Sequence, residues 1–439
     1  MEDDIFITNA IVVTCDERNR VIQNGGIIVN NGMIRAVGST DQILAAVPSQ
    51  MHHIDGAGCI LMPGLINTHS HAADTLFRGL VENLPLEPWL QKVWKAEAAI
   101  LNPQTSYLGS MIGFAELLLS GVTTVMDMCW YPSEAVRAAG DLGLRIATGG
   151  ILFDYPGVTG QSVDERFAAA ERFFDEVANN DHVFPAIMPH GAYTVSPQNL
   201  QIGHKISRGR NALYSIHAAE TLAEQLDIKR RYGRSIIRHL QHLDVLDERT
   251  SLAHCVHLDD EEIRIIAQSG ATVLHNPLSN LKLASGVARV PDMLDAGIPV
   301  ALGTDGAVSG NDLDMWLAVR LAATLHKGVT KNAGAVSTTQ ALTMATRTGA
   351  HAVGAGGKLG SLEPGKLADM ILVSLDRPHA VPLFDPVTHL VYSTAKSDVR
   401  DVFVDGKQVV RNGTLVQASI SHILAEVRKL APRIAASLN

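Results

Sequence analysis

The pattern of apolar and polar positions changes texture twice along this chain. From residue 4 to 38, short β-branched runs alternate with turn signals. Ile5-Phe6-Ile7, Ile11-Val12-Val13 and Ile27-Ile28-Val29 lead to Asn30-Asn31-Gly32, a hairpin turn that feeds Met33-Ile34-Arg35-Ala36-Val37. A small antiparallel sheet is expected there. The same texture returns only near the far end, in Asp369-Met370-Ile371-Leu372-Val373 and in 402–410 around Asp405-Gly406. Two β-rich ends around a different middle predict one composite β-sandwich domain, built from residues 1–58 and 366–439.

Between them, in residues 59–365, strand-like apolar runs alternate with helical stretches. The runs are 61–68, 122–128, 144–152, 183–189, 213–217, 251–257, 271–275 and 300–304. Eight such runs in about 250 residues have the size of a (β/α)8 TIM barrel, so the fold class expected is α/β. Helices are expected at 106–120 and at 259–269, the second stopped by Gly270. Residues 420–438 carry apolar positions at helical spacing and predict a helix packed on the outside.

Composition narrows the class. The chain has 439 residues, 46% hydrophobic and 18% charged, which suits a protein with a sizeable core and not a disordered one. A net charge of -9 without a basic stripe argues against a nucleic-acid partner. No uninterrupted apolar stretch is long enough to span a bilayer, and the acidic start Met1-Glu2-Asp3-Asp4 does not read as a secretory signal. Cys15, Cys59, Cys129 and Cys255 are scattered without a CxxC, as expected of reduced core thiols in a cytoplasmic protein. The expected partner is a small-molecule substrate, and the expected assembly a homo-oligomer.

Candidate chemistry sits where the apolar runs end. His69 and His71 close the first run, and strand alternation points both imidazoles the same way, so they can share one metal ion. His190 follows the fourth run, His217 and Glu220 the fifth, His254 the sixth and Asp305 the eighth. A barrel keeps its active site at that C-terminal rim. Each residue alone has a bland reading, as a hydrogen-bonded core histidine or a turn aspartate. Jointly, three histidines and an aspartate from separate strands suit zinc or a similar divalent ion with an open position for water. Glu220, three residues past His217, would face away on a regular strand and can approach such a centre only if the chain bends. There it could take and redeliver a proton; otherwise it is a helix N-terminal charge.

The segments His69-Ser70-His71, His217-Ala218-Ala219-Glu220, Ala253-His254-Cys255-Val256-His257-Leu258 and Gly303-Thr304-Asp305-Gly306 resemble the amidohydrolase superfamily. The run from His275-Asn276-Pro277-Leu278-Ser279-Asn280 to Leu281-Lys282-Leu283-Ala284-Ser285-Gly286 narrows the likeness to the branch of chlorohydrolases and aminohydrolases, nearest the 5'-methylthioadenosine/S-adenosylhomocysteine deaminases. Leu76-Phe77-Arg78-Gly79 and the segment from Gly360 to Asp369 extend the resemblance over nearly the whole chain. It implies one divalent ion per subunit, zinc first with iron or manganese as alternatives, held by His69, His71, His217 and Asp305. No metal-bridging lysine follows the fourth run, which also favours one ion over two. It further implies Glu220 as proton shuttle, His254 and Asp305 as catalytic partners, His190 against the purine ring and Glu97 on ribose hydroxyls.

Four departures bear on the substrate. Gly149 and Gly150 stand where homocysteine-accepting members carry a carboxylate-binding arginine, which counts against S-adenosylhomocysteine. Asp74 replaces a usually apolar residue; it either favours a cationic or donor-rich substrate or bridges to Arg78 four residues on. Gly310 stands where asparagine is more usual, and Ala218-Ala219 suggest a roomier pocket floor. Trp89, Trp94 and Trp130 are expected as core or lid aromatics near the mouth, Trp94 among the substrate contacts. The expected activity is hydrolytic deamination of a 5'-modified adenosine. An s-triazine or other N-heterocycle hydrolase and a guanine-type deaminase are the alternatives within this chemistry, and a non-enzymatic scaffold the alternative outside it.

Overall fold

Gly64 divides the two sheets of the molecule. In the computed structural model, which describes residues 4–48 and 50–438, the apolar run at 61–68 is two strands instead of one. Cys59–Pro63 pairs antiparallel with Met370–Ser374 and parallel with Ile5–Val13, whereas Leu65–Ser70 pairs parallel with Val122–Asp127. Residues in both strands are buried, so hydropathy alone shows no break. The break is steric: a Cβ at Gly64 would lie 2.2 Å from the Thr123 side chain, so only glycine passes there.

Both termini do build one sheet. Its strand order is Thr414–Leu415, Lys407–Arg411, Val399–Val404, Met370–Ser374, Cys59–Pro63, Ile5–Val13, Val21–Asn30 and Met33–Ser39, with His52–Asp55 also paired to Ile5–Val13. The two runs expected at 5–7 and 11–13 are one strand, bent at Asn9 where φ is 63° and the register shifts. Asn31-Gly32 and Asp405-Gly406 all have positive φ, as two-residue hairpin turns require. Ile7, Val12, Ile27, Leu61, Met370, Leu372 and Phe403 from both ends of the chain share one fully buried apolar cluster. Met1–Asp3 of the acidic start lie outside the described residues.

The second sheet has eight parallel strands in chain order: Leu65–Ser70, Val122–Asp127, Arg145–Leu152, Val183–Pro189, Leu213–Ala218, Thr250–His254, Thr272–His275 and Val300–Leu302. First and last strands are tied across the seam, where Thr68 Oγ1 donates to the Leu302 carbonyl at 2.8 Å and Asn67 Nδ2 to Thr304 Oγ1 at 2.8 Å. This is a TIM barrel, with helices filling the connections. The helix expected at 106–120 starts earlier, at Pro103, because Asn102 caps it. Asp260–Ser269 is opened by the Asp259/Glu262 capping box and stopped by Gly270 at φ 77°. The helix Ile420–Ala436 lies against Pro103–Leu119 on the outside of the barrel.

Barrel and sheet are joined by a buried ion pair. Arg145, at the start of the third barrel strand and 1% exposed, donates from Nε to Asp369 Oδ2 at 2.8 Å and from Nη2 to Asp405 Oδ1 at 3.2 Å. All four cysteines are free and buried. Among the described residues, no helix is long and apolar enough to cross a membrane.

Candidate metal centre and active site

The barrel's strand ends bring the sequence candidates together. His69 near the end of the first strand and His71 just beyond it have ring centroids 5.0 Å apart, and the His217 ring is 4.8 Å from that of His69. His71 Nδ1 bonds the Met128 carbonyl at 2.8 Å and His217 Nδ1 the His190 carbonyl at 2.6 Å. A carbonyl can only accept, so both rings carry their proton on Nδ1 and keep the Nε2 lone pair free. His69 Nε2 is buried without any partner. Such an orphaned acceptor needs an explanation, and an ion supplies one.

Asp305 completes the group from the eighth strand's loop. Its Oδ1 lies 3.7 Å from His69 Nε2 and 3.4 Å from His71 Nε2, while Oδ2 accepts from Ser279 Oγ at 2.6 Å. Candidate ligand atoms of His69, His71 and His217 lie within 4.8 Å of one another, as do those of His69, His254 and Asp305. Donors about 2.0–2.2 Å from a tetrahedral ion stand a little over 3 Å apart, so the spacing fits a divalent cation. The protonation states fit as well. Burial holds His69 and His217 well below the usual histidine range, leaving neutral imidazoles. For Asp305 burial acts upward, but the imidazoles of His69, His71 and His254 outweigh it and keep the carboxyl far below its usual range.

Glu220 reaches this centre because the backbone reverses at Ala219, where φ is 54°. The helix that follows, Leu222–Tyr232, is capped by Thr221, and Glu224 accepts the Glu220 backbone N–H at 2.8 Å. The helix-charge reading therefore belongs to Glu224, and the Glu220 carboxyl points inward. It lies 3.7 Å from His254 Nε2 and accepts weakly from Ser285 Oγ at 3.5 Å. Burial, reinforced by the Asp305 charge, pushes it up to about 8. His254 sits at φ 76°, with Nδ1 bonded to Asn280 Oδ1 at 2.8 Å, so its Nε2 faces Glu220 and the centre.

A cavity of about 740 Å³, counted to its open mouth, leads away from these groups. His71, His217, Glu220, His254 and Asp305 line its floor; Asp74, Glu97, Trp94 and His190 line its walls, with Trp89, Trp130, Phe153 and Tyr193. His190 is depressed to about 3, by burial first and the neighbouring imidazoles second, and bonds Thr194 Oγ1 through Nδ1 at 3.1 Å. The Asp74–Arg78 bridge does not form. Arg78 instead pairs with Glu116 and bonds the Asn311 carbonyl at 3.0 Å. Residues Ala72–Phe77 form a 3₁₀ turn, in which positions four apart leave the common face they share on an α-helix. Asp74 is buried beside Glu97: burial, then the Glu97 charge, drive its carboxyl well up, and burial pushes Glu97 up to about 7.

Gly149 has no room for a side chain, since a Cβ there would lie 1.8 Å from the Ala186 carbonyl oxygen. A Cβ at Gly310 would find its nearest neighbours in the Leu278 side chain at 3.3 Å and the Asp312 carbonyl oxygen at 3.6 Å. Ser279, Asn280 and Ser285, which hold Asp305, His254 and Glu220, carried no role in the sequence reading. Their signal was the motif run itself, where each reads as an ordinary loop or helix-start polar residue. The Met128 and His190 carbonyls that orient the imidazoles leave no trace in residue identity.

Comparison with known proteins gives a consistent picture. Residues 60–409 match the Amidohydrolase family. A 5-methylthioadenosine/S-adenosylhomocysteine deaminase of Syntrophobacter fumaroxidans is 38% identical over 432 residues, covering 98% of each chain. A 5'-deoxyadenosine deaminase of Methanosarcina mazei is 37% identical over 99% of each chain. Among solved structures, an adenosine deaminase from Xanthomonas campestris with bound zinc superposes with a TM-score of 0.97 at 32% identity, covering 99% of each chain.

Proposed function

This chain belongs to the amidohydrolase family, and from that premise we propose that it is a zinc-dependent deaminase of 5'-modified adenosines, releasing ammonia and the inosine analogue. It is a hydrolase of C–N bonds other than peptide bonds, acting on a small molecule. The observation that supports the reading is convergence: His69, His71 and His217 form one close group, His69, His254 and Asp305 a second that shares His69, and the buried Glu220 stands beside them on the same cavity. A divalent ion held by those four residues supplies Lewis-acid polarisation and several kcal/mol of charge stabilisation.

The protein's own groups do the rest. Glu220 takes a proton from the attacking water and delivers it to the departing amino nitrogen, a double use that suits a carboxyl raised towards neutrality. His254, its Nδ1 fixed by Asn280, presents Nε2 to the oxygen that bonds the ring carbon, and Asp305 orients the same water. His190 faces the purine and Trp94 covers it, edge-on to Phe153 and His190. Glu97 takes ribose hydroxyls. Among the described residues lining the cavity there is no lysine or arginine, which counts against the carboxylate on the tail of S-adenosylhomocysteine.

The test is a substrate panel with ammonia release as readout: 5'-methylthioadenosine, 5'-deoxyadenosine, adenosine, S-adenosylhomocysteine, guanine, and chloro- and amino-triazines. The expected result is turnover of the 5'-modified adenosines ahead of all others. No turnover of any adenosine, or turnover of triazines alone, overturns the assignment. We further read the protein as a cytoplasmic homo-oligomer without a nucleic-acid partner. We read the terminal sheet as a sandwich closed over its own core, and the barrel as residues 59–365 with its first boundary moved to Gly64 by the pairing of Cys59–Pro63.

A further inference from the structure

One wall of the cavity carries a carboxyl, Asp74, to which the deamination itself gives no role. Asp74, on the turn just after His71, and Glu97, on the helix Leu86–Ile100, bring two carboxyls side by side at 8% and 5% exposure. Glu97 Oε2 is buried without a partner. Among the described residues that line the cavity, none is a lysine or arginine. Arg78 is committed to Glu116 and Asn311. Arg166 stacks over Trp130 and Phe153, at 5.3 and 5.9 Å, but bonds the carbonyls of Tyr155 and Pro156. The same wall carries the rings of Trp94, Trp130 and Phe153.

Two adjoining buried carboxyls cannot both ionise cheaply, so burial and their contact with each other favour the protonated forms, and a bound cation shifts that balance back towards the ionised pair. Aromatic faces nearby add attraction for positive charge and little for a neutral group. A ribose diol would answer Glu97 Oε2 alone, a cation can engage both carboxyls, and an anion is repelled. We propose that Asp74 and Glu97 form a cation cradle, so that the preferred substrate of this deaminase is an amino-purine nucleoside bearing a protonated amine on its sugar. This rests on the deaminase reading of the same cavity and narrows its substrate class.

Matched nucleosides test it. In the wild-type protein near neutral pH, kcat/KM for 5'-amino-5'-deoxyadenosine is compared with 5'-deoxyadenosine, and that for 3'-amino-3'-deoxyadenosine with 3'-deoxyadenosine. At least one amine should exceed its uncharged counterpart by about tenfold, the scale of a buried hydrogen bond to a charged group. In Asp74→Asn the ratio should fall towards one, with metal content and melting temperature recorded for the variant. Equal rates within both wild-type pairs overturn the cradle, and so does a preference that survives Asp74→Asn; the wild-type comparison decides even if the variant does not fold. Calorimetric titration of the corresponding inosine products separates the two readings, because it needs no turnover. Selective binding of an amino product without turnover of any adenosine refutes the deaminase and keeps the cradle. Turnover without selectivity in rate or in binding refutes the cradle and keeps the deaminase.

Discussion

Replacing Glu220 by glutamine separates proton transfer from everything else this side chain does. Glutamine has the same length, its carbonyl oxygen can still accept from Ser285 Oγ, and at 5% exposure the site gives the new amide little room to wander. What disappears is the ability to take and return a proton. General acid-base transfer contributes roughly 10²–10⁴-fold, or about 3–5 kcal/mol at 1.36 kcal/mol per tenfold. Because Glu220 acts twice in one cycle, the expected loss in kcat is about 10⁴-fold, with KM changed only a few-fold.

Stability gives an independent readout of the same substitution. Burial raises Glu220 to about 8, so the folded site resists a negative charge there above the usual carboxylate pKa. In the metal-free protein a neutral amide removes that conflict, and there the melting temperature of Glu220→Gln should not fall below that of the wild type. The assay is ammonia release from 5'-methylthioadenosine on protein of matched metal content. Ser285→Ala serves as the comparison: it removes one long hydrogen bond, expected to cost about 1 kcal/mol and tenfold at most. A Glu220→Gln protein with full metal content and a kcat within tenfold of wild type would refute the shuttle and move the base elsewhere.

Asp369→Ala leaves Arg145 buried with only Asp405 and the Asp181 carbonyl as partners, and should destabilise the protein by about 3–5 kcal/mol in urea unfolding, whereas Arg145→Met with Asp369→Leu should recover most of it. A double variant less stable than both single ones would show that the pair is not the strut between sheet and barrel. Asp247 is pulled down to about 2: burial opposes this, but His204, the Arg249 backbone N–H and Thr250 together prevail. A depressed carboxyl adds stability above its unfolded pKa and loses it as pH falls through the folded one, so Asp247→Asn should be less stable than wild type by about 2 kcal/mol at pH 6 and equal to it near pH 2. Chelation should abolish turnover and lower the melting temperature, and zinc at about 1,000 times its Kd should restore about 4 kcal/mol. Full turnover after removal of all metal would disprove the assignment of His69, His71, His217 and Asp305 as ligands.

The rim of the barrel was legible because its chemistry stands at the ends of apolar runs, where residue type and position can both be read from a sequence. Strand alternation puts His69 and His71 on one face; in the structure the strand ends at Ser70, and His71, one residue beyond it, still brings its ring within 5.0 Å of that of His69. Where the reading failed, backbone geometry had intervened. The run 61–68 looked like one strand because burial is continuous across Gly64, and only the approach of Thr123 makes it two. Asp74 and Arg78 looked like a helical pair, but the segment winds with three residues per turn, which sends Asp74 to Glu97 and frees Arg78 for Glu116. Neither event is written in hydropathy or in residue spacing.

Direction was the hardest thing to read, and at three points one device sets it. Ala219, His254 and Asp305 all lie in the left-handed region, with φ of 54°, 76° and 61°, at the end of a parallel strand or within three residues of it. None is glycine, and such conformations cost about 1–3 kcal/mol each, so the surrounding structure must hold them. It does so through the backbone. The Asp305 N–H bonds the His69 carbonyl at 3.0 Å, Cys255 N–H the Ala218 carbonyl at 3.0 Å, and both Val256 and His257 N–H the Ala219 carbonyl at 2.9 Å. Neighbouring strand ends thus clamp one another in the bent form that turns Glu220, His254 and Asp305 inward. Residue identities specify what stands at the rim; the orientation of each group comes from barrel closure, because the clamping partners are carbonyls of strands far apart in sequence. A substitution that loosens the closure, even one distant from the cavity, should therefore lower kcat before it lowers stability.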